Sequence, residues 1–309
     1  MKHLSNVDTS KIEWLGINRL QNNRGGVISD LYYPQTIQEL IEVIYLCQNK
    51  KRTFYVFGHT SNCYFLPSFS PDAVISTIHL RGYEETENTI IVECGMHSKV
   101  LARIMVEKGY EGFEGLIDLP GTISGAIYGN AGCYGCLISD RLISAKVLTI
   151  AGEIIEYTKK ELGFQERTSY LKERKIKGTI LTATFEKVKG DATEINNKAE
   201  QAHKDRLATQ PGPLNNLGSI FKKDEFTNYG IWINRIARYT AKLLHKPESH
   251  HSIIKLQCTL AGFPKLAKYL FNLNRFIWQD KNAHIAFKQY LELRKKIFKH
   301  NNLEIEIFK

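Results

Sequence analysis

Leu119-Pro120-Gly121-Thr122-Ile123-Ser124-Gly125-Ala126-Ile127-Tyr128-Gly129-Asn130-Ala131-Gly132-Cys133-Tyr134-Gly135 decides how this chain is read. With Gly112 and Gly115 upstream it places seven glycines between Gly112 and Gly135. In an ordinary helix or strand each would cost roughly 0.5–1 kcal/mol relative to alanine. Small residues at nearly every second position leave main-chain N–H groups accessible, and such groups in a nest or at a helix start hold phosphate oxygens without side-chain charge. One glycine pair would read as a tight structural turn. Seventeen residues of this composition predict contact with a ligand.

Working outward, the segments before the passage alternate between strand and helix. Val27–Tyr33 reads as a strand, and Thr36 as the N-cap of a helix over Ile37–Gln48, with Glu39 completing a capping box. Thr53–Phe57 reads as a buried strand running into Gly58-His59-Thr60-Ser61-Asn62, a polar loop where α/β layers offer amides to ligands. Strands are expected at Ala73–Ser76, Thr89–Glu93, Ala145–Thr149 and Thr179–Glu186, and a helix over Ser98–Lys108. Beyond a polar boundary at Lys187–Asn197, helices are expected at Ala199–Leu207, Ile231–Leu244 and His284–Lys299, and strands at Phe276–Trp278 and Leu303–Phe308. Thr209-Gln210-Pro211-Gly212-Pro213 breaks the chain, and Lys246–Ser252 is a polar break. Neither loop carries G-x-x-x-x-G-K-[ST], so a P-loop is excluded, and neither forms G-x-G-x-x-G after the first strand, so an ordinary dinucleotide fold is not indicated.

At 309 residues the chain is long enough for two or three domains of roughly 100–200 residues. The formal charge of +10 admits nucleic acid, an anionic membrane surface, a polyanionic small molecule or plain solvent as partner. No run of about 18 apolar residues and no secretory signal is visible, so no membrane span and a cytoplasmic location are expected. The six cysteines are read as thiols. Cys133-Tyr134-Gly135-Cys136 has redox or half-zinc spacing, but no second such pair exists, and Cys133 reads as a small residue. His250-His251 lacks metal-site context, so no metal is expected.

The two loops, together with Phe164-Gln165-Glu166-Arg167-Thr168-Ser169, Gln210-Pro211, Gly218-Ser219-Ile220-Phe221-Lys222 and Leu303-Glu304-Ile305-Glu306-Ile307, resemble in order and spacing the UDP-N-acetylenolpyruvoylglucosamine reductase family, also called UDP-N-acetylmuramate dehydrogenases. The likeness covers about residues 20 to 309 and is nearest the family's shorter form. It implies an α+β chain with a vanillyl-alcohol-oxidase/PCMH-type FAD-binding fold: subdomains at 1–78 and 79–190 and a C-terminal α/β substrate domain at 191–309. It implies FAD as cofactor, NADPH as co-substrate, and reduction of the enolpyruvyl UDP-sugar to UDP-N-acetylmuramate, a peptidoglycan precursor. By position, Ser219 resembles the proton donor, and Arg167 and Glu306 the pair that polarises the substrate carboxylate. Gly58, His59, Thr60, Ser61 and Asn62 would face the FAD pyrophosphate. Pro120, Gly121, Thr122, Ser124, Gly125 and Ala126 would line the flavin and its phosphates, with Tyr134 on the substrate side and Lys222 near substrate phosphate.

The chain departs from the family pattern in places. Thr60 stands in the normally glycine-rich G-x-G-S-N loop, Glu166 replaces a tyrosine and Lys223 an asparagine, and Asn22–Gly26 keeps the N-terminal motif loosely. A β-branched threonine is poorly suited to a positive φ. The segment from Asn228 to Asn274 departs most and is basic. The rival readings are a flavin-dependent paralogue acting on another nucleotide sugar and a basic, non-enzymatic binding protein that retains the fold. A monomer or weak dimer that binds no nucleic acid is expected.

Overall fold

The computed structural model describes residues 1–8, 27–66, 68–210, 216–243, 250–280 and 282–308. The Asn22–Gly26 motif, the Pro211-Gly212-Pro213 breaker and most of the Lys246–Ser252 break lie outside them.

In chain order, the first described elements are strand β1 (Lys2–Asp8), β2 (Val27–Tyr33), helix α1 (Ile37–Asn49), β3 (Phe54–Phe57), β4 (Cys63–Phe65) and β5 (Ala73–Ser76). The expected capping box closes α1: Glu39 N donates to Thr36 Oγ1 at 3.1 Å, and Gln35 N donates to Glu39 Oε2 at 2.7 Å. Leu40, Val43, Ile44 and Cys47 recur at helical spacing and are the residues α1 buries. β5 is buried at every position because it is a central strand, parallel to both β2 and β3 in a sheet of order β1-β2-β5-β3.

A second sheet follows from β6 (Tyr83–Glu85), β7 (Thr89–Glu93), helix α2 (Ser98–Glu107), helix α3 (Ile123–Tyr128), β8 (Gly132–Cys133), β9 (Cys136–Leu137), β10 (Leu142–Thr149), β11 (Ile154–Thr158) and β12 (Gly178–Glu186). Its order is β11-β10-β12-β7-β6 with every pairing antiparallel. The alternating burial of β7 is what one covered face demands. The glycine passage was expected to avoid regular structure. It instead holds the short helix α3 and the β8–β9 hairpin, because Thr122 caps the helix and only six residues need helical geometry.

Helix α4 (Ala192–Thr209) ends this part, and α5 (Asn228–Leu243), α6 (His250–Leu260), β13 (Leu270–Asn272), β14 (Arg275–Phe276), α7 (Ala283–Ile297) and β15 (Glu306–Phe308) complete the chain. The helical face of α6 was not anticipated.

Two compact units result. The first gathers Met1–Val7, Val27–Ser61 and Ser70–Thr209 and has one core that includes Leu40, Ile75, Leu101, Ile123, Val147 and Phe185. The second takes in the described residues of Asn62–Phe69 and Gln210–Lys309. Within it β4 pairs in parallel with β15, and Tyr64, Phe276, Trp278, Phe287 and Tyr290 form an aromatic core. Among the described residues no helix is long and apolar enough to cross a membrane, and no group of three metal-ligating side chains occurs.

Candidate cofactor and catalytic site

In the first unit the loop after β3 meets the glycine passage at contact distance. A Cβ on Gly58 would overlap the Thr122 side chain, and one on Gly121, whose φ is +101°, would lie 2.8 Å from Ser61 Oγ. A main chain can lie this close to a neighbouring hydroxyl side chain only where it carries no side chain of its own. Thr60 itself adopts φ +50°, so the positive φ survives its change from glycine. For a β-branched residue that is strain of order 1–3 kcal/mol. Its Oγ1 is buried with no hydrogen-bond partner among the described residues, an omission that costs about 1–3 kcal/mol when nothing fills it.

The amides of this site divide into two groups. Ile123 N donates to Met96 O, Ser124 N to Cys94 O and Gly125 N to Thr122 Oγ1, so these three hold α3 on the sheet. The amides of Thr60, Ser61, Gly121 and Thr122 have no acceptor among the described residues. Ser124 Oγ stands 3.3 Å from Thr122 Oγ1, Ala126 is buried beneath, and Pro120 is exposed. His59 is exposed, with its ring centre 5.0 Å from that of His97, the residue preceding α2, in an edge-to-face arrangement. Burial, then the neighbouring His59, lowers the His97 pKa.

Arg167 sits at the corner of a turn closed by mutual main-chain bonds between Gln165 and Thr168, with φ +55°. Asn130 Nδ2 donates to Gln165 O at 3.0 Å and Ser169 Oγ to Tyr128 O at 2.8 Å, which fixes this turn to the end of α3. Asn130 also has a positive φ of 42°, and its buried Oδ1 has no partner among the described residues. Tyr134 has φ +48° and brings its hydroxyl to 3.3 Å from Thr209 Oγ1. Strained non-glycine residues thus cluster at this site.

Cys133 and Cys136 face each other across the β8–β9 hairpin. Cys133 Sγ donates to Gly115 O, and Gly115 N donates to Cys136 Sγ. Burial pushes the Cys133 thiol up to about 11 and raises that of Cys136, which is opposite to what a reactive thiolate needs.

Ser219 and Glu306 belong to the second unit. Ser219 lies in a loop held by one side chain: Asn274 Oδ1 accepts from Ile220 N at 3.1 Å and Phe221 N at 2.8 Å, and its Nδ2 donates to Phe221 O at 2.9 Å. Asn216 Oδ1 accepts from Gly218 N at 2.9 Å, and Gly218 takes φ +74°. Below, the fully buried Arg294 stacks 3.6 Å from the Phe298 ring centre. It donates to Asp224 Oδ1 at 2.7 Å, Lys223 O at 3.1 Å and Leu273 O at 3.2 Å. Lys222 N donates to Asn302 O, Glu304 N to Ile220 O and Glu306 N to Asn62 O, so the Ser219 loop, the terminal strand and Asn62 form one hydrogen-bonded ladder. Asn62 Nδ2 also donates to Glu304 O at 3.0 Å, which commits that side chain to the fold. Asn274 and Arg294 were not singled out in the sequence. The only signal was a polar pair, Asn274-Arg275, set between Leu273 and Phe276.

Residues 30–158 match the family described as FAD binding domain. The UDP-N-acetylenolpyruvoylglucosamine reductase of Clostridium beijerinckii is 33% identical over 201 residues, 65% of this chain and 66% of its own length. That of Carboxydothermus hydrogenoformans is 35% identical over 202 residues, 65% and 66% of the two chains. The chain is a divergent relative of the UDP-N-acetylenolpyruvoylglucosamine reductases. The match spans just under two thirds of these relatives, 64% in the case of Caldicellulosiruptor saccharolyticus. The crystal structure of the Thermus caldophilus reductase covers 100% of this chain and 98% of its own, with TM-score 0.68 and 19% identity, and shows the same fold end to end. FAD is therefore the cofactor, and the first unit fits it. Close-approach glycines, main-chain donors without acceptors and an orphaned buried Thr60 hydroxyl converge there. The α+β fold expected from the resemblance to this family is the fold observed.

Proposed function

We propose that this chain is an NADPH-using, FAD-dependent reductase of UDP-N-acetylglucosamine enolpyruvate, making UDP-N-acetylmuramate for peptidoglycan in the cytoplasm. FAD, when bound, supplies hydride-transfer chemistry. Gly58, His59, Thr60, Ser61 and Asn62 are assigned to its pyrophosphate side, and Pro120, Gly121, Thr122, Ser124, Gly125 and Ala126 to the ring and phosphates. Residues 1–78 and 79–190 would serve the flavin and 191–309 the substrate. That functional partition cuts the chain differently from the contact units, which place Asn62–Phe69 in the second and α4 in the first.

The observation that carries the reading is Ser219 on the lining of a cavity of about 450 Å³, in a loop whose main chain Asn274 immobilises. Reduction of an enol ether conjugated to a carboxylate leaves negative charge delocalised into that carboxylate. A fixed guanidinium stabilises such charge, the role given to Arg167 together with Glu306, and a hydroxyl in place supplies the proton to the adjacent carbon, the role given to Ser219. Tyr134 is assigned to the substrate side of the flavin and Lys222 to substrate phosphate. A second reading, reduction of a different nucleotide sugar, draws on α5 and α6, which lie in the segment that departs most from the family and wall the same cavity.

The test is stepwise on purified protein: flavin absorbance, anaerobic bleaching by NADPH, then recovery of colour on adding the enolpyruvyl sugar. Recovery with another nucleotide sugar and not with this one would replace the first reading by the second. A colourless protein retained on nucleic acid would favour the basic binding protein.

A further inference from the structure

Within the second unit, helix α5 packs back to front. The residues it buries are Gly230, Ile233, Ala237 and Ala241, a stripe of mostly small side chains. Its large apolar residues lie outside: Trp232 is 53% exposed, Tyr239 70% and Leu243 67%. Their i, i+7, i+11 spacing puts these three on one line along the helix, opposite the buried stripe. The Tyr229 ring lies beside this ridge, stacked on Trp232 with ring centres 6.0 Å apart. Helix α7 shows the ordinary arrangement, with Phe287, Tyr290, Leu293 and Ile297 buried. A row of large apolar side chains left on the outer face of a helix marks an interaction surface.

The charge beside the ridge is of one sign. From Phe226 to Pro247 the sequence has four Lys and Arg and no acidic residue, and as far as Gln279 it has eight against the single Glu248. On α5, Arg235 and Lys242 are exposed along one flank of the ridge, and among the described residues neither forms an ion pair. That combination selects the occupant. A second copy of this chain would set the same unneutralised cations against each other. A nucleic-acid strand would match the rings and the charge but not Leu243, which has no face for a base to stack on. An anionic bilayer surface matches every part. Trp and Tyr rings sit at headgroup level, Leu enters the acyl boundary, and long basic side chains reach lipid phosphates.

We propose that the outer face of α5, with Trp232, Tyr239 and Leu243 flanked by Arg235 and Lys242, docks this protein on an anionic lipid surface, the helix lying in the plane of the interface. The same helix gives Asn234 and Arg238 to the lining of the Ser219 cavity, so docking holds that cavity beside the membrane. The proposal does not depend on the reaction assigned above. It gives part of the +10 formal charge a located role in the basic segment that begins at Asn228.

Cosedimentation of the FAD-loaded protein with vesicles tests this, using phosphatidylcholine and phosphatidylglycerol at two to one and phosphatidylcholine alone. The expected result is binding to the mixed vesicles that weakens at high salt, with binding to the neutral ones at least about tenfold weaker. Trp232→Ser combined with Leu243→Ser is expected to lower partitioning onto the mixed vesicles by about tenfold or more, and Arg235→Gln combined with Lys242→Gln by a similar factor. Trp232→Phe should keep most of the partitioning that Trp232→Ser loses, and a thermal melt matching the parent's shows each variant to be folded. Ile150→Ser, at a site 65% exposed in the first unit, should leave binding as it is. No binding of the parent to mixed vesicles, or equal binding by the Trp232/Leu243 double variant, overturns the docking face. An equally tight hold on neutral vesicles overturns the anionic assignment. Binding to poly-L-glutamate or single-stranded DNA that the same double variant loses, without vesicle binding, gives the face to an acidic macromolecule and overturns the membrane reading.

Discussion

The loop from Gly58 to Ser61 and the loop from Gly218 to Phe221 are both held in place, by opposite means. The first is shaped by what is missing: glycines let the main chain lie against the Thr122 and Ser61 side chains, and main-chain donors are left over among the described residues. The second is shaped by an added group, the Asn274 amide, which bonds the main chain of Ile220 and Phe221 three times. A site made from bare backbone suits a large polyphosphate cofactor, since amides bind phosphate at any of several positions. A clamped loop suits chemistry, where one hydroxyl must sit within a few tenths of an ångström of its target.

Removing the proposed proton donor separates the two regions most sharply. Ser219→Ala is expected to slow reoxidation by the acceptor by about 10²–10⁴-fold with a full complement of FAD, read by stopped-flow absorbance. Loss of flavin instead would mean that the second unit supports the cofactor. Asn274→Ala comes next, with an expected fall of about 10–100-fold in the same step, because three main-chain bonds to the Ser219 loop are lost. Asn274→Asp keeps the two accepting bonds and should recover part of the rate, an outcome that general unfolding would not give.

Gly58→Ala probes the other loop. The new methyl meets Thr122, and overpacking of about 1–3 kcal/mol should weaken FAD retention by roughly tenfold or more, measured by dialysis and flavin fluorescence. The smallest effect concerns pH. The His97 pKa is lowered in the fold, so below its usual value of about 6.5 the unfolded chain takes the proton first. Stability is then present above about pH 6.5 and lost as the pH falls through the lower folded value. His97→Gln should flatten that decline in urea titrations run between about pH 7.5 and about pH 5.5.

Much of the first unit was legible before any coordinates. Thr36 and Glu39 gave a capping box that closes as expected, and the strand expected at Ala73–Ser76 and the helix expected from Ser98 are present. The short helix inside the glycine passage was not legible, since a glycine count reports entropy cost and carries no sign of the Thr122 cap that offsets it. Helix α6 was hidden for a different reason: His250-His251-Ser252 reads as a polar break, and the helix beyond it buries Ile254 and Cys258 against elements distant in sequence.

The sequence by itself determined where the backbone approaches its neighbours most closely, because glycine spacing is a local property written in consecutive residues. Only the tertiary structure decided that Thr60 keeps a positive φ, that Asn274 clamps a loop more than 50 residues before it, and that Arg294 is buried beneath that loop. A side chain's hydrogen-bond partner depends on which distant main-chain groups the fold leaves unpaired, and no periodicity along the chain encodes that.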